Sequence, residues 1–230
     1  MMIMQTITTI ELSSKCNLAC RYCINRYMKS RAFRTPGIMS DEIFDHSLSW
    51  LRVLVARNTQ REINLNGNGE SCLDPDLPER IRRTKNIVGN RKVGLCTNGV
   101  NMTEELCRAM LNAGIDRIDI SPHSPYHARM CANIFTRMGV PSGINMGSII
   151  MTHNWAGQLD PEDSVPMLFT LKCDPLIEGR AYIDSDGYVT VCCYDYQNIG
   201  SYGHVQDYDL DHREIKPFSL CKTCHQEVPA

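Results

Sequence analysis

Twelve of the 230 residues are cysteines, and eight of these fall into two groups whose spacing suits metal chemistry. The first group reads Cys16-Asn-Leu-Ala-Cys20-Arg-Tyr-Cys23, a C-x3-C-x2-C pattern. Thiolate sulfur is the usual protein ligand of a four-iron, four-sulfur cube, so three such thiolates hold three corners and leave the fourth iron open. An open metal position receives a ligand, whereas a closed one is a structural staple. The loop itself offers no fourth Cys, His, Asp or Glu, and His46 lies far along the next helix. The second group is Cys173, Cys192, Cys193, Cys221 and Cys224. Cys72, Cys96, Cys107 and Cys131 stand apart and are expected to be small buried hydrophobes, the ordinary behaviour of free cysteine.

The composition sets bounds on this chemistry. A 43% hydrophobic chain of this length builds one large domain, or one domain with a small appendage. With 24 basic against 26 acidic residues the net charge is −2, which generates no field for nucleic acid or an anionic membrane. A small-molecule substrate is expected, with a peptide possible. Neither an apolar run of membrane-spanning length nor a signal peptide is present in the sequence, so no membrane association and a cytoplasmic location are expected. Thiols in that reducing compartment bind metal more often than they pair as disulfides.

These residues need elements to position them. Residues 5–12 are β-branched and predict a first strand. A helix is predicted over 40–57, with Ser40 as cap and Ile43, Phe44, Leu48, Leu51 and Val55 at helical spacing. Strands follow at 61–66, 91–96, 115–120 and 143–151, alternating with helices at 77–87, 103–113 (ended by Gly114) and 126–138. Such β–α alternation predicts an α/β fold, a parallel sheet curled as a partial, truncated TIM-like barrel, with its site at the carboxyl ends of the strands. The core is expected over residues 1–155. Beyond it prolines break up the helices, and 180–193 reads as a β-hairpin turning at Asp184 to Gly187. Residues 156–230 are therefore expected to form a small metal-stapled appendage.

The triplet, with Tyr22 just before its last cysteine, resembles the signature of the radical S-adenosylmethionine (radical SAM) superfamily. Asn66-Gly67-Asn68-Gly69-Glu70 after the second strand is similar to that family's glycine-glycine-glutamate loop. Thr97-Asn98-Gly99 after the third strand and Ser121 after the fourth stand where the family places polar ligand contacts. The resemblance covers residues 5–155. It implies a [4Fe–4S] cluster on Cys16, Cys20 and Cys23, with S-adenosylmethionine bound at its open iron. It further implies cofactor contacts from Tyr22, Gly67, Asn68, Gly69, Glu70, Asn98 and Ser121, and an electron donor such as flavodoxin or ferredoxin. The family's usual core has six β–α units, against five strands counted here, and its adenine-side motif has no counterpart in this sequence.

Cys173, then Gly187-x4-Cys192, then Cys221-Lys-Thr-Cys224 resembles the C-terminal SPASM extension, or its shorter twitch form. That resemblance implies a second, closed [4Fe–4S] auxiliary cluster on Cys173, Cys192, Cys221 and Cys224. The sequence runs only to Ala230, so a single auxiliary cluster is expected. Cys193 is the alternative to Cys192, and four thiolates also suit zinc or a single iron. The layout looks most like the aminocyclitol dehydrogenase of butirosin biosynthesis, which implies two-electron oxidation of an alcohol on a polyol, sugar or aminocyclitol. SPASM-type modification of a peptide side chain is the alternative. His123, Tyr126, His127 and Arg129 after the fourth strand, and His153 after the fifth, are the candidates for general base.

Overall fold

The computed structural model describes residues 4–27, 34–140, the backbone of 142–144, and residues 155–162, 172–207 and 215–224. Its centre is a sheet of seven strands: β1 (Thr6–Ile10), β2 (Ile63–Asn64), β3 (Val93–Thr97), β4 (Arg117–Ile120), β5 (Ser142–Ile144), β6 (Arg180–Ile183) and β7 (Val189–Thr190). They lie in the order β5-β4-β3-β2-β1-β6-β7. All neighbours are parallel except β6 and β7, which pair as an antiparallel hairpin.

Helices α1 (Asp41–Ala56), α2 (Leu77–Val88), α3 (Glu104–Asn112) and α4 (Pro125–Met138) connect the first five strands. Ser40 caps α1 by accepting from the Ile43 N–H, and Thr103 caps α3 by accepting from Leu106. These bonds satisfy backbone donors that have no intrahelical partner. Gly139 takes a left-handed conformation (φ +65°) directly after α4, and Gly114 holds positive φ (+92°) just past Ala113, the C-cap of α3. The apolar stripe of α1, including Phe44, Leu48, Leu51 and Leu54, is buried against the sheet. Each such side chain contributes about 1.5–3 kcal/mol of transfer free energy.

The largest difference from the sequence reading concerns the hairpin over 180–193. Its turn is where expected, with the Gly187 N–H donating to the Asp184 carbonyl. The hairpin is not set apart from the sheet, however. β6 pairs in parallel with β1 and supplies a sixth parallel strand. The hydrophobic core runs without a break from β1 and the helices into Leu176, Ile183, Val189, Val205 and Ile215, so the expected boundary at 155/156 interrupts neither sheet nor core. Local pattern shows a strand's existence but not its neighbour, and this pairing joins residues more than 170 apart in sequence. Asp195 and Tyr196, in the loop after β7, are buried. The Asp195 carboxylate accepts from the Ile199 and Gly200 N–H groups and so closes the loop after β7. Among the described residues no helix is long and apolar enough to cross a membrane.

Candidate functional site

Because β1 to β4 are parallel, the loops leaving them gather on one edge of the sheet. There they enclose a cleft of about 390 Å³ lined by the triplet Cys16, Cys20 and Cys23, the whole Asn66–Glu70 loop, and Asn98, Ser121 and His123. Tyr22 also lines it, so the cleft gathers every residue assigned above to the first cluster and its cofactor. The glycines of this loop allow a close approach between backbones. A Cβ on Gly69 would lie 2.3 Å from the Ser13 carbonyl oxygen and 2.5 Å from that of Lys15. A Cβ on Gly67 would lie 2.4 Å from both Glu11 Cγ and the Tyr182 hydroxyl. Only glycine lets the second loop lie against the cysteine loop, and the Glu70 N–H fastens it by donating to the Lys15 carbonyl (2.7 Å).

Glu70, which lines the cleft, also has a structural task within it. Its carboxylate is buried and accepts from the Thr97 hydroxyl (2.8 Å) and from the Asn98 and Cys72 N–H groups (2.8 and 3.1 Å). It therefore ties the loop after β2 to the loop after β3. Asn98, held in this way, directs its amide Nδ2 at the Cys16 sulfur (3.8 Å) and the Asn17 side chain (2.7 Å). A donor beside a cluster sulfur is one of the levers that set cluster potential. Burial pushes the thiols of Cys16 and Cys20 up, and that of Cys23 up to about 12. Metal binding must therefore displace their protons.

Of the four general-base candidates among the described residues, the structure brings one into the cleft. His123 lines it, and its Nδ1 lies 2.9 Å from the Tyr22 hydroxyl. Burial lowers the His123 pKa, which favours the neutral ring that can accept a proton. The rotation of α4 turns Tyr126 and Arg129 to solvent instead. His127 is hydrogen-bonded to Ser124, one turn back (2.8 Å). His153 lies outside the described residues.

On the tail side, a smaller cavity of about 60 Å³ is lined by Cys173, Cys192, Cys193, Cys221 and Cys224. Both Cys192 and Cys193 border it. The strand alternation that would select one of them ends with β7 at Thr190. Two residues join the cavities. The Tyr194 ring lines both, and it meets Trp155 edge-on at 5.5 Å. Trp155 in turn donates its indole N–H to the Tyr22 carbonyl (2.9 Å). Trp155 and Ala156 hold positive φ (50° and 56°), a strained turn wedged between the cavities.

Sequence reasoning missed Tyr194, and it missed Cys96, which lines the cleft in place of being a buried core thiol. No local signal marks either, since both face the cleft through tertiary placement. Among the described residues no three His, Cys, Asp or Glu side chains draw together around a single ion. Thiolates on one tetrahedral zinc stand about 3.8 Å apart, given Zn–S bonds of about 2.3 Å. The cysteines here surround two volumes instead. Three thiols of one loop lining a cleft, beside a glycine cradle, fit an iron–sulfur cluster with a small ligand on it. A wider groove of about 470 Å³ between α1 and α2 holds Arg52 and Arg83 but no thiol or imidazole.

Comparison with known proteins agrees with this geometry. Residues 10–139 match the family described as the Radical SAM superfamily. GTP 3′,8-cyclase of Aquifex aeolicus is 32% identical over 123 residues, which cover 51% of this chain and 35% of that protein. Molybdenum cofactor biosynthesis protein 1 of Mus musculus is 32% identical over 112 residues, 49% of this chain and 16% of that protein. Both matches thus take in well under half of the relative. Among solved structures, BtrN in complex with AdoMet and 2-DOIA superposes with a TM-score of 0.71 at 20% identity, covering 90% of this chain and 80% of that one. Native anSMEcpe with bound AdoMet gives 0.60 at 16% identity, covering 88% and 78%. At these identities the structures show a shared fold.

Proposed function

The chain belongs to the Radical SAM superfamily, and from that premise we propose that it oxidises an alcohol carbon of a small polyol, sugar or aminocyclitol by two electrons. The family implies one [4Fe–4S] cluster and S-adenosylmethionine, and the cleft at the triplet supplies the residues to hold both. Bound there, they would supply a 5′-deoxyadenosyl radical that takes a hydrogen atom from substrate.

The observation that carries the oxidative reading is the second cysteine-lined cavity, which shares the Tyr194 ring with the first. Converting an alcohol to a ketone removes one hydrogen atom from the carbinol carbon, one proton from the hydroxyl and one further electron. A cluster held by Cys173, Cys221, Cys224 and either Cys192 or Cys193 would take that electron. His123 would take the proton, with the Tyr22 hydroxyl holding its Nδ1 and leaving the other ring nitrogen for substrate. Trp155 and Tyr194 would keep water from the space between.

A second reading comes from the relatives named GTP 3′,8-cyclase, which direct attention to a nucleoside triphosphate. A triphosphate calls for several Arg or Lys side chains, and the described lining of the cleft carries none. The test is an anaerobic assay with reductant and S-adenosylmethionine on panels of aminocyclitols and polyols, GTP, and peptides. One 5′-deoxyadenosine per ketone, from the first panel, is the expected result. Turnover of GTP or peptide alone, or catalytic recycling of S-adenosylmethionine, would overturn the proposal.

A further inference from the structure

The residue after β1, Glu11, has no place in the chemistry above and no exposure to solvent, yet three parts of the site converge on it. Its Oε1 accepts from the Asn68 N–H at 2.8 Å, in the middle of the glycine loop. Its Oε2 accepts from the Ser185 N–H at 3.0 Å, in the hairpin turn between β6 and β7, and from Arg34 at 2.8 Å. Arg34 reaches onward to Asp184 (3.3 Å) and Asp186 (3.0 Å) of the same turn, and lies over the Tyr196 ring at 5.4 Å. The Tyr196 hydroxyl donates to the Asn25 side chain (3.2 Å), two residues beyond Cys23. Asn25 then donates to the Asn68 carbonyl (3.2 Å).

The contacts close into a circuit: Glu11, Asn68, Asn25, Tyr196, Arg34 and back to Glu11. The Asn68 residue is held at both its N–H and its carbonyl, which fixes the loop between the two glycines that must pass close to neighbouring backbone. The opposite side of the circuit is the turn of the hairpin that leads to Cys192. Charge-assisted bonds of this kind are short and about twice as strong as neutral ones, and burial raises the cost of breaking any of them.

We propose that Glu11 is a positioning residue that couples the two cavities, setting the Asn66–Glu70 loop for S-adenosylmethionine and the turn before Cys192 in one movement. The proposal rests on the cofactor reading of the cleft given above. By linkage, a ligand that orders the glycine loop must also order the hairpin turn, and whatever fills the tail cavity must strengthen ligand binding in the cleft. Glutamine at this position tests the idea sharply. A carboxylate only accepts, whereas an amide turns an NH2 group toward one of its three donors and leaves that donor without a partner.

The experiment compares the anaerobically reconstituted parent with Glu11→Gln. It reads the dissociation constant for S-adenosylmethionine and hydrogen exchange at residues 66–70 and 183–188, each with and without ligand. In the parent, ligand is expected to slow exchange in both segments. In Glu11→Gln, affinity should fall about tenfold, the size of one lost charge-assisted bond. Protection of the turn should vanish while that of residues 97–99 persists. Parent-like affinity together with parent-like protection of the turn would overturn the proposal. Should Glu11→Gln fail to fold, Arg34→Lys replaces it, since an ammonium cannot span Glu11, Ser185 and two aspartates as the guanidinium fork does. Loss of turn protection is again the expected result, and its retention refutes coupling. A parent that binds no S-adenosylmethionine removes the cofactor reading but not the coupling. The unliganded proteins then decide, because residues 66–70 and 183–188 must exchange faster together in the variant. A change confined to one segment would overturn it.

Discussion

Single side chains in the cleft differ in whether they act on a ligand or on the loops around it. Gly69 acts by having no side chain, since a Cβ there would come closer than van der Waals contact to two carbonyl oxygens. Gly69→Ala must therefore push the glycine loop off the cysteine loop. Titration with S-adenosylmethionine is expected to show at least a tenfold weaker dissociation constant, about 1.4 kcal/mol, while the circular dichroism of the sheet and helices stays parent-like. His123 offers a different reading. Burial holds its pKa below the ordinary histidine value, so the ring is neutral at pH 7 and able to accept a proton. As pH falls through that lowered pKa the ring charges and acceptance stops. A profile of kcat/KM against pH should lose an acidic limb in His123→Gln, with a fall of roughly 10²- to 10⁴-fold at pH 7. A limb that survives the substitution assigns the proton to another group.

Elements carry the next level of specificity, and the β6–β7 hairpin carries most of it. Its first strand completes the sheet beside β1, and its turn is pinned by the buried Arg34 network. Burial raises the Asp184 carboxyl from the usual carboxylate range to about 6, against the opposing pull of Arg34 and a hydrogen bond from Asn198. With the folded value above the unfolded value of 3.8, the folded state binds more protons between pH 4 and 6. Stability from this group is full below pH 4 and is lost as pH rises through 6, by at most about 3 kcal/mol at about 1.4 kcal/mol per pKa unit. Denaturant melts of Asp184→Asn set against the parent should show the parent losing relative stability across that window. A difference that does not change with pH would mean the carboxyl titrates normally. At Gly187 the same turn holds φ +90° with the His204 ring against it, a position that no Cβ can share.

At the scale of the whole molecule, a main core and a smaller apolar cluster around Trp155 and Tyr196 support two cysteine-lined volumes that meet at Tyr194. The proposed pair of clusters makes a simple count. Anaerobically purified protein is expected to hold about eight irons and eight sulfides, and a variant with Cys16, Cys20 and Cys23 changed to alanine about four of each. One zinc per chain in both proteins would remove the auxiliary cluster and with it the electron sink on which the oxidative reading depends.

The spacing of Cys16, Cys20 and Cys23 pointed to the first iron–sulfur site from sequence alone, because ligands on one cluster loop must be close along the chain and their residue types leave few alternatives. The β–α alternation likewise determined the parallel sheet and therefore which edge of it gathers the motifs, since side-chain periodicity and caps are local properties. The alternation could not show that the tail hairpin joins β1, nor that His123, alone among its described rivals, enters the cleft. It could not show that the Glu70 carboxylate is engaged by the backbone after β3, or that Glu11 and Arg34 bind three distant segments together. Each of these depends on contacts between residues dozens to more than a hundred positions apart, where no local pattern distinguishes one partner from another. Only tertiary packing, which brings those segments to a common edge and buries their charges together, decided them.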